Sequence, residues 1–328
     1  MLRFTALILG ALGYCAAAHA QAPANQDLGN LLPPGSLTFV VPLAAGGPAD
    51  SIARIVGERL GQRIGRTIII ENRTGAAGNV GAAYVAKSKP DGLTWLFTTD
   101  SVLTVNPTVY RSQGFDAQKD LIPVAKIGQN LLLLAVNAKA VPAKTFAELV
   151  AYSKTHDVNF GSAGIGSPGH LALEYLKMSS DLRATHVPYR GAALALQDLV
   201  AGNIQASFIV SGALIPYVNT GALRALAVSA NERVRFVPDV PSAEEAGIHG
   251  FEARFCNFLL APAGVKPEIR AMMSEQVMAL LKDKDVRERI EALATDPIPG
   301  DEASSIAQIA RDRAKWAKVI AAAGLKME

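Results

Sequence analysis

Apolar positions along the chain follow two alternating rhythms. Continuous, β-branched-rich runs at residues 36–41, 67–71 and 94–98 predict strands buried on both faces, as in a parallel sheet. Between the first two, Ile52, Ile55, Val56 and Leu60 recur at helical spacing and predict a helix over 49–65, and a second helix is expected around 82–88. This β-α-β-α-β alternation is that of a doubly wound α/β unit. A second such run starts near Lys126, with strands expected at 131–137, 159–160, 185–189, 204–210 and 223–229. Helices are expected at 146–155, 170–178 and 192–201, with a short helical piece at 214–217. Past Asn231 the pattern becomes a proline-bearing loop at 237–241, a short helix at 242–246, a strand at 258–261 and two strong helices at 267–282 and 301–323.

The polar interruptions carry the candidate chemistry. The first strand runs through VVPLAAGGPAD into a turn, where Gly46 and Gly47 allow a sharp bend, Pro48 suits a first helical position, and Asp50 falls where the helix dipole favours an acid. A glycine-rich turn at a helix N-terminus is a ready anion site, although an ordinary tight βα turn explains this stretch equally well. Ligands in doubly wound sheets bind beyond the carboxyl ends of the strands. Three turns therefore converge: Ala44, Ala45, Gly46 and Gly47; the loop from Asn72 to Gly78; and Thr99, Asp100 and Ser101. A further loop, GSAGIGSPG, holds Ser162, Ala163, Gly164, Gly166 and Ser167, with Ser167-Pro168 as N-cap and first helical residue and His170 following.

Composition adds bounds. A chain of 328 residues, half apolar and 19% charged, suits two domains of ordinary size. Its first twenty residues read as a secretory leader: Arg3, an apolar stretch over 4–18, and Ala18-His19-Ala20 as a small-x-small cleavage pattern. Tyr14 before Cys15 disfavours a lipoprotein, so a mature chain starting near Gln21 is expected, with residues 21–35 as a tether. Loss of Arg3 lowers the formal charge from +3 to +2, and no basic tract suggests nucleic acid or an anionic lipid surface. Cys256 alone remains after cleavage, which excludes an internal disulfide.

Two motif readings fail on inspection. Gly164-Ile165-Gly166-Ser167-Pro168-Gly169 has the form GxGxxG, but the following strand ends in Tyr189-Arg190 where a dinucleotide site needs an acid, and Pro168 removes a donor. A nucleophile elbow needs glycine two residues before its serine, whereas Ser162 has Phe160 there and Ser167 has Ile165. No Cys/His or carboxylate spacing suits a metal. Arg54, Arg73 and Arg190 are the cations nearest the loops; Tyr189 is the stronger pocket candidate because its phenol packs and donates. The residues on their own suit a non-covalent clamp for a small anion.

The collinear series VVPLAAGGPAD, IIIENRTGAAGNVGA, KPDG, VNPTVY, FGSAGIGSPGHL, HVPYRG, GALRALAVS and LLAPAG closely resembles the Bug-type extracytoplasmic solute receptors of tripartite tricarboxylate transporters, from Ser36 onward. The resemblance implies a type II, Venus-flytrap periplasmic binding protein, α/β throughout, each domain a doubly wound sheet with flanking helices. Carried over, the carboxylate site is residues 43–47 and 162–170. Departures fall at Ile209-Val210, where members commonly have Asp-Asn; at Cys256-Asn257-Phe258, where an aromatic pair precedes glycine; and at Asp100-Ser101, in place of small hydroxyl residues and glycine. Hence Asp100 is expected either to accept from a ligand donor, with Ile209 on an apolar part of the ligand, or to cap the following turn.

The resulting expectation is residues 1–20 as signal peptide, 21–35 as tether, 36–126 with 229–328 as domain one, and 127–228 as domain two, with a hinge near Ile127 and Ser229 and the last helix packed on domain one. A monomeric periplasmic protein is expected to bind a small carboxylate (dicarboxylate, aromatic or amino-acid-like) without cofactor, metal or catalysis, its partners being membrane permease subunits. The alternatives are a receptor for a membrane sensor and a periplasmic hydrolase.

Overall fold

The computed structural model describes residues 31–326. The expected leader, with Cys15, and the expected tether up to residue 30 lie outside the described residues. The first half consists of β1 (Leu37–Val41), α1 (Pro48–Ile64), β2 (Ile68–Asn72), α2 (Asn79–Ala86), β3 (Thr94–Thr99) and two short helices, α3 (Ser101–Thr104) and α4 (Asn106–Val109). After β4 (Leu121–Asn137) the second half alternates α5 (Phe146–Ser153), β5 (Asn159–Ser162), α6 (Pro168–Ser179), β6 (Thr185–Pro188), α7 (Ala192–Ala201), β7 (Ala206–Val210), α8 (Ser211–Asn219) and β8 (Leu223–Val228). The chain closes with β9 (Arg254–Pro262), α9 (Pro267–Leu280), α10 (Lys284–Glu291), β10 (Thr295–Asp296) and α11 (Glu302–Ala323).

Parallel β2, β1 and β3 are extended by antiparallel β9 and β4. The other sheet is β7, β5 and β6, mutually parallel, with β4 antiparallel to β7, and β8 pairs antiparallel with β4 and so runs in the direction of β7. β4 belongs to both: its residues up to Leu131 pair with β9, and from Leu132 onward they pair with β7 and β8. α1 shows why the first half folds as its pattern dictates. Gly47 is extended before Pro48, Gly65 ends the helix in the left-handed conformation, and Ile52, Val56 and Leu60 are fully buried against Phe39, Trp95 and Phe97.

Four expectations need correction. The strand expected at 131–137 begins ten residues earlier, at Leu121, because register shifts beside Pro123 and before Gly128 absorb residues that normally end a strand. Residues 242–246 form a turn and not a helix. Ser242 and Glu245 make the reciprocal capping bonds, each side chain accepting the other's N–H, but Gly247, at φ 79°, stops the chain at once. α10 was not foreseen, since only Val286 and Ile290 among its eight residues are buried; Asp283 caps it, accepting from the N–H of Asp285. Finally, α11 does not pack on the first half alone. Ile309 joins the cluster of Val40, Leu96 and Phe258, whereas Trp316, Val319 and Ile320 enter the second half's core with Leu171, Phe208 and Phe251.

Trp316 is fully buried, its ring stacked 5.3 Å from that of Phe255. Trp316→Ala is expected to lower the unfolding free energy by about 3–5 kcal/mol in urea titration, the usual cost of emptying a buried aromatic site.

Candidate functional site

The two sheets present their loops to one cavity of about 360 Å³. The first half contributes Leu43 after β1, Ala77 before α2, Thr99 and Ser101 at the end of β3, and Asn106 and Val109 from α4; the second half contributes residues 163 and 165–168, ahead of and within the start of α6. A smaller cavity of about 260 Å³ lies beside it, between Gly46, Pro48 and Ser51 at the start of α1 and Val210, Gly212 and Ala213 at the start of α8. No charged side chain lines either cavity. A wider hollow of about 670 Å³ around Ser153 and Thr185 belongs to the second half alone.

Six of the residues singled out by sequence line the main cavity: Leu43, Thr99, Ser101, Ala163, Gly166 and Ser167. Gly46 borders the smaller one, while Ala44, Ala45 and Gly47 form the turn between, with the Gly47 N–H donating to the carbonyl of Ala44. Asp50 and Asn72 hold this turn from behind. The Asp50 carboxylate, 1% exposed, accepts from the Gly46 N–H at 2.8 Å, from Asn72 Nδ2 at 2.9 Å and from Arg54 Nε and Nη2 at 2.9 and 3.0 Å. Burial pushes its pKa up, but the hydrogen bonds from Arg54, Gly46 and Asn72 outweigh this and hold it below the usual value. Asn72 Nδ2 also donates to the carbonyl of Leu43. Arg54 is thereby committed to Asp50; Arg73 lies 3.7 Å from the centre of the Tyr84 ring; Arg190 is exposed.

The second-half loop is shaped by a serine and two histidines. Ser162 Oγ accepts from the Gly164 N–H at 3.1 Å and lies 2.7 Å from His186 Nε2. His170 Nδ1 accepts from the Gly166 N–H, which places the ring proton on Nε2, and the two imidazoles stack at 3.6 Å. Burial lowers both histidine pKa values to about 4, with Lys177 lowering His170 further and His170 lowering His186. Ser167 Oγ accepts from the His170 N–H as the N-cap of α6. Neither serine is set up as a nucleophile: Ser162 is fully buried, and the His170 nitrogen nearest the loop is already taken by Gly166.

Three expectations are corrected. Asp100 neither lines the cavity nor caps α3: it is 1% exposed, makes no side-chain capping bond, and both carboxylate oxygens lack a partner. Burial, reinforced by Asp312, raises its pKa well above the usual range and favours the neutral acid. Ile209 is 3% exposed and packs in the apolar cluster with Leu131 and Leu214, its place at a cavity taken by Val210. Tyr189 gives its phenol proton to Asp198 Oδ2 at 2.7 Å, within its own half.

Four lining residues were not singled out by number, Ala77, Asn106, Val109 and Ile165, although Ala77 and Ile165 fall inside loops expected to face the site. The signal for the middle two was VNPTVY, a polar-capped helical turn directly after a site loop. Ala77 gave none. It and Ala76 adopt left-handed backbone, at φ 52° and 45°, which alanine rarely does outside glycine-like turns. The turn is held by Asn106 Nδ2, which donates to the Ala77 carbonyl at 3.0 Å and to Asn79 Oδ1 at 2.8 Å, and by Gln113, which donates to the same Asn79 oxygen. Among the described residues no group of three or more His, Cys, Asp or Glu side chains could hold a metal ion.

A family model described as tripartite tricarboxylate transporter family receptor matches residues 52–325. The protein BugT of Bordetella pertussis is 29% identical over 325 residues, covering 98% of this chain and 98% of its own. Among solved structures, Rpa4515 of R. palustris with adipate is 32% identical, covers 89% of this chain and 98% of that one, and superposes with a TM-score of 0.79. MatC of Rhodopseudomonas palustris with bound malate is 30% identical, with a TM-score of 0.73, covering 87% and 98% of the two chains.

Two outcomes follow from this geometry. Asp50→Ala leaves the Gly46 and Asn72 donors without their acceptor and is expected to cost about 1–3 kcal/mol in chemical denaturation; because Arg54 is half exposed, its ion pair adds little. The histidine pair is neutral when folded and titrates at 6.5 when unfolded, so the unfolded chain binds more protons between about 4 and 6.5. Stability is therefore expected to fall as pH drops through that window, with His186→Gln flattening the slope of melting temperature against pH.

Proposed function

The chain belongs to the tripartite tricarboxylate transporter receptor family, and from that premise we propose that it captures a small carboxylate-bearing solute in the periplasm and delivers it to the membrane permease subunits of such a transporter. The observation that carries the reading is the cavity between the halves, whose lining offers hydroxyls and loop N–H groups and no charged side chain. Backbone N–H groups of Ala163 and Ile165 on one side and of Ser101 on the other make no hydrogen bond within the described protein. Such neutral donors suit the oxygens of a carboxylate, which accepts several bonds at once, and a site of this kind fills without stripping water from a lysine or arginine.

The ligand classes that fit are dicarboxylates, aromatic carboxylates and amino-acid-like acids; the adipate and malate held by two relatives support the first. The leader-like first twenty residues support export. In this reading residues 36–126 with 229–328 move as one body and 127–228 as the other, hinged near Ile127 and Ser229, with α11 joining them, and the protein works as a monomer without cofactor or covalent chemistry. The burial of Ser162 and the engagement of His170 speak against a hydrolase.

A thermal-shift screen of residues 21–328 against mono-, di- and tricarboxylates, aromatic acids and amino acids tests this. A ligand at a hundred times its dissociation constant adds about 2.7 kcal/mol, which is a rise of several degrees at about 2–4 °C per kcal/mol for a chain of this order of size. Stabilisation by one carboxylate class is expected. No shift with any acid, after refolding to remove co-purified ligand, overturns the reading.

A further inference from the structure

Asn257 is fully buried, and neither its amide nitrogen nor its amide oxygen has a hydrogen-bond partner. Two unmade bonds on one buried carboxamide are costly, and native structures seldom leave both unmade without a reason. Its position suggests one. Asn257 pairs with Thr99 across the β3–β9 ladder, so the two side chains stand on the same face of the sheet with Cβ atoms about 4.5–5.5 Å apart. Thr99 lines the main cavity.

Strand alternation separates Asn257 from the other unpartnered polar groups nearby. Phe97 and Leu259 lie on its face, in the core under α1, whereas Leu96, Leu260, Phe258 and Cys256 lie on the opposite face with Ile309 of α11. Thr98 and Asp100 alternate with Thr99 and belong to that opposite face; the Asp100 N–H donates to the Cys256 carbonyl there. Asn257 is thus the unpartnered side chain on the face of Thr99, directly behind the cavity lining and not itself part of it. It also replaces what the resemblance leads one to expect at this point, part of an aromatic pair followed by glycine.

We propose that Asn257 reads the end of the ligand remote from the loop donors, and that the solute carries there a neutral group able to donate and accept together, of the carboxamide type. A second carboxylate only accepts: it would satisfy Asn257 Nδ2 but set its own lone pairs against Oδ1, with no cation lining the cavity to offset the charge. A carboxamide satisfies both atoms in one paired contact. This inference rests on the carboxylate-receptor reading and narrows it to acids with a neutral far end, setting this chain apart from the two relatives that hold adipate and malate.

Isothermal titration of residues 21–328 with succinate, glutarate and adipate, each against its own monoamide, tests it. Wild type is expected to bind at least one monoamide about tenfold or more tighter than the parent diacid, the weight of one buried polar pair made against unmade. Asn257→Leu, of similar volume, removes both unmet groups. It is expected to abolish that preference while leaving the ligand-free melting temperature unchanged or higher, an outcome that a purely structural asparagine would not give. Asn257→Ser, which cannot overpack the site, is expected to lose the same preference. Diacids bound as tightly as monoamides by wild type, or an unchanged preference in Asn257→Leu, overturns the inference while the receptor reading stands. Failure of every acid in the broader thermal screen overturns both.

Discussion

β4 couples everything else in the molecule. Seventeen consecutive residues give their first hydrogen bonds to β9 in one sheet and their last to β7 and β8 in the other, so the two halves share a strand and not merely a linker. A hydrogen-bonded ribbon of this kind resists shear and separation and bends most easily where its ladder is interrupted. In β4 the ladder with β9 is interrupted beside Pro123 and before Gly128, ahead of the point where the strand changes sheets, and the ladder with β8 between Leu134 and Ala135. α11 supplies a second tie, with Ile309 in one core and Trp316 in another. Between these ties the loops at the strand ends face one another across the main cavity.

What lines that gap follows from the cost of desolvation. An arginine held at a closing interface loses its hydration and must find it again in the ligand, whereas backbone N–H groups carry no net charge to strip. The nearby guanidinium is used one layer back. Arg54 steadies Asp50, Asp50 takes the Gly46 N–H, and Asn72 ties both to the Leu43 carbonyl, so the charge fixes a turn and leaves neighbouring neutral donors free. The left-handed Ala76 and Ala77 belong to the same economy of design: a strained turn persists because Asn106, Asn79 and Gln113 hold it, and it brings a backbone edge into the cavity.

The fold was largely legible because its strands are continuous apolar runs and its helices carry apolar stripes, both local signals. The glycine loops announced the cavity for a related reason: sharp turns at strand ends need particular residues, and those residues stand out in sequence. Failures came where a long-range partner decides the outcome. The strand was expected only from Leu131, yet pairing with β9 carries it back through Gly128 and Pro123 to Leu121. Lys284–Glu291 carries only two apolar residues that become buried, Val286 and Ile290, and these find their place in the core beside α1, with Asp283 as cap. Tyr189 read as a pocket donor because its sequence neighbours do not reveal Asp198 a helix away. The loop holding Ala77 was expected at the site, but nothing in the residue itself signals its left-handed backbone, since alanine has no preference for that conformation.

Asp100 shows how burial changes the meaning of a charged residue. After a strand and before a helical turn, an aspartate suggests either a cap or a ligand contact, and both need its oxygens to face a donor. The strand's alternation sends the side chain to the opposite face, against Cys256 and toward Asp312 and Lys315 of α11, where desolvation raises its pKa and favours the neutral form. Val210 occupies the position at a cavity where the resemblance leads one to expect a polar residue, with Ile209 withdrawn behind it. Neither departure from the family pattern therefore adds an acid to the gap. Neither cavity is lined by a charged side chain, so its walls can meet a negative charge only with neutral hydrogen-bond donors.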